Sequence, residues 1–282
     1  MILGEGTRVR LGGWRVNYAL FLADALVRKF VPTPLRFAVA RIRFFAKHPQ
    51  STNHAGNAAI EIIKRDGVYI WRQYINRDDA LSLADKALPL LQRVRDREKF
   101  STQTMNDQES GLYRLKDADN YIPETKPIFD DPALMDIARA VTTPNVRAHM
   151  RMIELREGIY SASSEDCWHF DEPFKYKFKF FLLLTDVGPD NSPFSYCKGS
   201  HIFGRWRRPK EMDAFKYGYD GNWGFFHQHE FAAILKRYGK DWQPTICTGQ
   251  AGDMILFDAN GLHRRELLRS GYRIIMSNYY QA

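Results

Sequence analysis

The second half of the chain is a succession of short apolar or alternating stretches separated by turn residues, and that rhythm admits few folds. Residues 147–155, 175–185, 194–198, 253–257 and 272–280 are each the length of a strand, and several carry polar residues at every second position. Short strands at such spacing bury one face against another sheet, which is the pattern of a jelly-roll. A mainly β fold with flanking helices is therefore expected.

The helices announce themselves upstream. Asn76 can cap a helix over residues 77–95, with Leu81, Ala84, Leu88 and Leu91 on one face. Pro89 falls inside that pattern, so a kink or break is expected there. Asp131-Pro132 reads as a cap followed by proline at the first helical position, opening a helix that runs to about Val141. Residues 67–70 form a short strand, and residues 100–129 are polar and mixed, the composition of a surface loop.

At 282 residues, with 44% hydrophobic and 26% charged residues, the chain has the composition of a globular protein. Its formal charge of +8 is concentrated: residues 1–48 hold nine of the Lys and Arg residues against only Glu5 and Asp24. The reading is of a basic amphipathic helical extension over 1–50, with helices at 18–30 and 35–47, followed by one catalytic domain over 51–282. Packing on the domain or on a second subunit is the favoured role of the extension, and an anionic membrane surface is the alternative. Asp24, Arg28 and Lys29 interrupt its apolar run, which argues against a membrane span. No zinc finger, helix-turn-helix or glycine-rich RNA-binding pattern accompanies the basic residues, so nucleic acid is not an expected partner. Cys167, Cys197 and Cys247 form no CxxC pair and are odd in number, which points to a reducing, cytoplasmic setting.

The chemistry concentrates at His169-Phe170-Asp171. On extended backbone, residues i and i+2 point to the same side, so His169 and Asp171 can meet one metal ion while Phe170 turns away. A third ligand is required, and His263 is the candidate, delivered by the Asn260-Gly261 turn after the apolar run 254–257. His201 reads as structural or as part of a rim, and His227 with His229 as a weaker second site. Two imidazoles and one carboxylate, with open positions left on the metal, are the ligand set of a non-heme Fe(II) oxygenase. Ten residues after His263, Arg273 places a charge inside an apolar run. It needs a partner: an anionic co-substrate, or a structural carboxylate such as Asp253 or Asp258.

Trp168-His169-Phe170-Asp171, residues 180–187, Gly199-Ser200-His201, Gly252-Asp253, His263 and Arg273 together resemble the phytanoyl-CoA dioxygenase-like family of Fe(II)/2-oxoglutarate oxygenases. The resemblance spans roughly residues 60–280. It implies a double-stranded β-helix (jelly-roll, cupin-like) core, iron held by His169, Asp171 and His263, 2-oxoglutarate gripped by Arg273, and dioxygen as oxidant. Asp171 separates this chain from the family's halogenases, where a small residue stands at that place. Arg265 stands where many members have a small hydroxyl residue that helps hold the co-substrate, so the second contact to it is unassigned.

The insert 202–245 is where substrate is expected. Between Phe203 and Trp242, 11 of 40 positions are aromatic, and Arg205, Arg207, Arg208 and Lys210 open the segment. An aromatic wall with a basic rim suits a small molecule with an apolar body and an acidic or phosphorylated group; a satellite hydrophobic cluster is the plainer alternative. Lys175, Lys177 and Lys179 give one strand a basic face, directed either to solvent or to an anion at the site mouth. The competing functional class is a cupin-like protein that binds a sugar or anion, or isomerises it, without oxidation.

Overall fold

The computed structural model describes residues 8–11, 14–17, 54–97, 104–108, 110–158, 167–171, 177–202, 225–226, 228–239 and 241–281. The chain divides into a unit of Met1–Phe45 and a unit of Ala46–Ala282. In the first, β1 (Arg8–Leu11) and β2 (Trp14–Asn17) pair as an antiparallel hairpin. The helices expected at 18–30 and 35–47 lie outside the described residues, as do residues 203–224 of the insert.

The second unit holds two antiparallel sheets. The larger orders β3 (Val68–Trp71), β12 (Met254–Asp258), β8 (Lys177–Leu183), β14 (Tyr272–Gln281), β6 (Arg147–Glu157), β5 (Leu112–Lys116) and β4 (Thr104–Asp107). The smaller orders β10 (Phe225–Phe226), β7 (Trp168–His169), β13 (His263–Arg265), β9 (Phe194–Lys198) and β11 (Gln243–Cys247). This is the expected jelly-roll, a mainly β core with flanking helices.

Strand alternation sorts each strand's residues between two environments. Phe178, Phe180, Leu182, Ile274 and Met276 leave the large sheet on its outer face, where α1 (His54–Asp66), α2 (Arg77–Arg95) and α4 (Pro132–Val141) bury them under Ile63, Leu91 and Ile137. Each such buried Phe, Leu or Ile stabilises the fold by about 1.5–3 kcal/mol. The intervening residues Leu183, Ile255, Phe257 and Ile275 turn inward and meet Phe194 and Tyr196 of the small sheet. Lys177, Lys179 and Arg273 keep step with these inward residues, and so do Glu154 and Arg156, the register partners of Ile275 and Arg273. The basic face of β8 is therefore turned toward the space between the sheets and not toward bulk water.

Three local readings change. Of the kink or break expected at Pro89, the break does not occur, because α2 runs continuously from Arg77 to Arg95. The proline's missing hydrogen bond and ring clash cost about 3 kcal/mol, which burial of Leu91 and Val94 on the next turn can offset. Residues 100–129 are not a plain loop, because β5 lies within them, with Tyr113 and Leu115 turned to the helices and Arg114 to the interior. A short helix, α3 (Lys126–Phe129), closes the same segment. The helix α1 was not read from the sequence, although Asn53 stands at its cap position, and it buries Ala59, Ile60 and Ile63.

Candidate metal centre

His169 and His263 are direct cross-strand partners of β7 and β13, which brings their rings to 4.4 Å between centroids. On β7 the neighbouring Trp168 takes the opposite face, where Phe231 of α5 (Gln228–Tyr238) stacks on it at 4.3 Å. That outer packing holds β7 flat with His169 inward. Asp171 lies just past the strand end, and its backbone N–H donates to the Ala259 carbonyl at 2.9 Å, tying it to the loop after β12. One donor atom from each of His169, Asp171 and His263 falls within 4.8 Å of the others, and among the described residues this is the one such group of three.

Each imidazole is fixed in the tautomer a metal requires. His169 Nδ1 lies 2.9 Å from the Cys167 carbonyl, and His263 Nδ1 lies 2.9 Å from the Gly261 carbonyl. A carbonyl only accepts, so both Nδ1 atoms donate and both Nε2 lone pairs are left for the centre. His263 Nε2 is 3.6 Å from Asp171 Oδ1. The residues present thus fit a divalent ion held by two neutral imidazoles and a carboxylate.

The turn that presents His263 is tightly built. Asn260 donates through its backbone N–H and its Nδ2 to Asp258 Oδ1, and a Cβ on Gly261 would fall 2.0 Å from the Tyr196 hydroxyl. Only glycine lets the chain pass that ring. The Tyr196 hydroxyl is buried, which pushes its pKa well above the usual range, and it donates to the Asp258 carbonyl at 2.8 Å.

Asp171 is paired from behind. Lys179 Nζ is 2.8 Å from Oδ2 and Lys177 Nζ 3.8 Å from it, with the Lys179 side chain 8% exposed. Burial opposes ionisation of Asp171, but Lys179, with help from His263 and Lys177, outweighs it and holds the carboxyl well below its ordinary value. Lys179 also lies over the Tyr279 ring at 4.0 Å.

Arg273 is buried on the same inner wall, and its partner is neither Asp253 nor Asp258. Its Nη2 donates to Glu154 Oε1 at 2.8 Å and its Nη1 to the Ser192 carbonyl, while its buried Nε meets no acceptor among the described residues. Asp253 pairs with Arg72 instead, and Asp258 caps the Asn260 turn. Burial, opposed by Glu154 and reinforced by the like charges of Arg265 and Arg156, lowers Arg273 to about 10, still cationic at neutral pH. Glu154 Oε2 also takes Arg114 Nε at 2.7 Å. The inner wall therefore carries Arg156, Arg265 and Arg273, all buried and close enough to act on one another's charge, with Glu154 bridging Arg273 and Arg114 and with Arg265 two residues beyond His263 on β13.

Of the competing histidines, His201 is structural: it is buried, its Nε2 is 3.1 Å from the Lys64 carbonyl, and it packs where a Cβ on Gly67 would sit. His149 is exposed, His229 lies within α5, and His48 and His227 fall outside the described residues. Cys167 is half-buried; Cys197 and Cys247 are buried, and all three are free thiols. The described end of the insert contributes β10, which pairs with β7, and α5, whose Phe231 joins Trp168, Phe170, Cys197 and Leu262 in a hydrophobic cluster. Sequence reasoning passed over Glu154, Arg114 and Arg156. The signal was present in Arg151-Met152-Ile153-Glu154-Leu155-Arg156, where Glu154 and Arg156 share one face of an otherwise apolar strand.

The sequence matches no protein-family model and no curated protein. Its fold, in contrast, is shared with many solved structures. EctD from S. alaskensis, solved with 2-oxoglutarate and 5-hydroxyectoine, is similar at TM-score 0.60 and 20% identity, over 83% of this chain and 79% of EctD. The non-heme alpha ketoglutarate dependent carbocyclase SnoK is similar at 0.54 and 15% identity, over 83% of this chain and 87% of SnoK. AviO1 from Streptomyces viridochromogenes Tue57 is similar at 0.53 and 21% identity, over 83% of this chain and 97% of AviO1. At these identities the likeness establishes a common fold, the jelly-roll, with the His169, Asp171 and His263 group set between its two sheets.

Proposed function

We propose that this chain is an Fe(II)/2-oxoglutarate-dependent oxygenase that hydroxylates an unactivated C–H bond of a small molecule bearing an acidic or phosphorylated group. The observation that carries the reading is the tautomer-fixed pair His169 and His263 converging with Asp171, beside a buried arginine wall in a jelly-roll interior. The fold neighbours support it: SnoK is described as alpha ketoglutarate dependent, and EctD was solved with 2-oxoglutarate.

His169, Asp171 and His263 would hold the iron, which when bound supplies dioxygen activation coupled to oxidative decarboxylation of 2-oxoglutarate to succinate and CO2. The chain's own contribution is placement and exclusion of water. Phe194 and Phe257 close on the His263 ring at 5.7 and 5.4 Å, giving the centre a dry aromatic rear wall. Arg273, through its uncommitted Nε, and Arg265 offer donors to a carboxylate of the co-substrate. Asp171 would supply a carboxylate ligand where the halogenases of the family this chain resembles have a small residue, which favours hydroxylation over halogenation.

An acidic or phosphorylated substrate suits Arg205, Arg207, Arg208 and Lys210 of the insert. Three free cysteines suit a reducing, cytoplasmic setting. Among the described residues no helix is long and apolar enough to cross a membrane, and the basic extension supplies the surface for peripheral membrane or subunit contact. A second reading, a non-oxidative cupin-like anion binder, draws on the Glu154–Arg273 pair, which already satisfies one arm of the guanidinium. Succinate release from 2-oxoglutarate by the iron-loaded protein, with pooled metabolites screened by mass spectrometry for gain of one oxygen, separates the two. Succinate production lost in Asp171→Ala supports the oxygenase, and none from the wild type with any pool supports the binder.

A further inference from the structure

The carboxylate of Asp171 is held from two sides that do different work. Oδ1 faces His263 Nε2 at 3.6 Å, whereas Oδ2 faces Lys179 at 2.8 Å and Lys177 at 3.8 Å. Lys179 belongs to the middle of the large sheet, and its stem is fixed on both sides: β12 places Phe257 opposite it, β14 places Tyr279 opposite it, and its ammonium lies over the Tyr279 ring. A lysine so placed has little rotamer freedom left, and its side chain is 8% exposed. Burying an ammonium is expensive unless it is paired, so the Asp171 carboxylate is what makes the position tolerable.

We propose that Lys179 is a positioning residue: its ion pair with Oδ2 holds the Asp171 carboxylate so that Oδ1 is the oxygen left for a metal, and its buried positive charge close to the three ligands would favour an anionic chelating ligand at the loaded site. This rests on the metal site assigned above. Two consequences act in the same direction. A carboxylate whose Oδ2 is paired with Lys179 would be less free to offer both oxygens to one ion. The ammonium also attracts a carboxylate brought to the metal and does not attract the metal cation itself. Lys179 therefore promotes binding of 2-oxoglutarate to the loaded site and does not promote binding of the bare ion. Lys177, farther away at 3.8 Å and 14% exposed, is the weaker partner in this arrangement.

The test uses the full-length chain loaded with Co(II), titrated with 2-oxoglutarate and followed by calorimetry and by the visible absorption of the cobalt. Wild type, Lys179→Met, Lys179→Gln and Lys179→Arg are compared, with Asp171→Ala as reference. Outer-shell partners of metal ligands are typically worth about 10–100-fold. In Lys179→Met, 2-oxoglutarate affinity for the cobalt-loaded protein should fall by about ten-fold or more, with a changed cobalt spectrum and Co(II) affinity equal to or tighter than wild type. Lys179→Arg should restore most of the loss, and Lys179→Gln, which keeps a polar side chain of similar length, should fall between. Wild-type 2-oxoglutarate affinity in both Lys179→Met and Lys179→Gln overturns the proposal, as does failure of arginine to rescue. Co(II) bound as tightly by Asp171→Ala as by wild type would overturn the metal-site assignment itself.

Discussion

Replacing Glu154 by Gln removes the one described carboxylate from the buried arginine wall. Glu154 is bonded to Arg114 Nε at 2.7 Å and Arg273 Nη2 at 2.8 Å, and the side chains of Glu154, Arg114 and Arg273 are 6%, 13% and 4% exposed. Breaking a buried pair by removing one partner costs about 3–5 kcal/mol, because the remaining charge stays desolvated. Arg114 keeps some access to water, so its share is screened and the lower end, about 3 kcal/mol, applies. In a unit of this size each kcal/mol lowers Tm by about 2–4 °C, which gives a fall of about 6–12 °C for the metal-free protein. Circular-dichroism melts measure it directly. Added 2-oxoglutarate should raise the variant's Tm more than the wild type's, since a ligand carboxylate can occupy the vacated charge site. A variant melting within 2 °C of wild type, or no more responsive to 2-oxoglutarate, would refute the view that Glu154 balances this wall.

Gly261→Ala places a methyl 2.0 Å from the Tyr196 hydroxyl and 2.5 Å from the adjoining ring carbon, displacing the turn that presents His263. Metal affinity should fall by about 10-fold or more, in the range of outer-shell changes, and an unaltered Co(II) titration would contradict this. Gly67→Ala combines a φ of +84° with a Cβ 2.3 Å from the Tyr196 hydroxyl, so a loss of at least about 1–2 kcal/mol in a denaturant titration is expected. Burial raises the Cys197 and Cys247 thiols from 9.0 to about 12. A raised folded pKa means the native state binds more protons than the unfolded chain between those values, so their contribution is complete below pH 9 and lost as pH rises toward 12. Urea midpoints across that window should decline, and at pH 8 an aromatic disulfide reagent should label the half-buried Cys167 while sparing the other two until unfolding.

Much of this was legible in the residues because local rules and tertiary demands agree. Asn76 caps α2 as its spacing requires, accepting from the Asp78 N–H, and Asp131 caps α4 by accepting from the Ala133 N–H. His169 and Asp171 converge as the i, i+2 spacing suggested, with Asp171 just past the strand end held by its backbone bond to Ala259. What escaped was set by partners far away in the chain. Arg273 looked to Asp253 or Asp258 because they lie close in sequence, yet the sheet order places β6 beside β14 and brings Glu154 from 119 residues away. The basic face of β8 had two possible directions until β12 and β14 enclosed it. Pro89 was read from its own chemistry, and the burial on either side of it was the deciding force.

The central claim is that His169, Asp171 and His263 form one iron site open to a chelating co-substrate. Anaerobic addition of Fe(II) and then 2-oxoglutarate to the full-length protein tests it most directly by visible absorption. The wild type should show a weak charge-transfer band that saturates at one iron per chain and is absent from His169→Ala, Asp171→Ala and His263→Ala. No band in the wild type, or an undiminished band in any of the three variants, would contradict it.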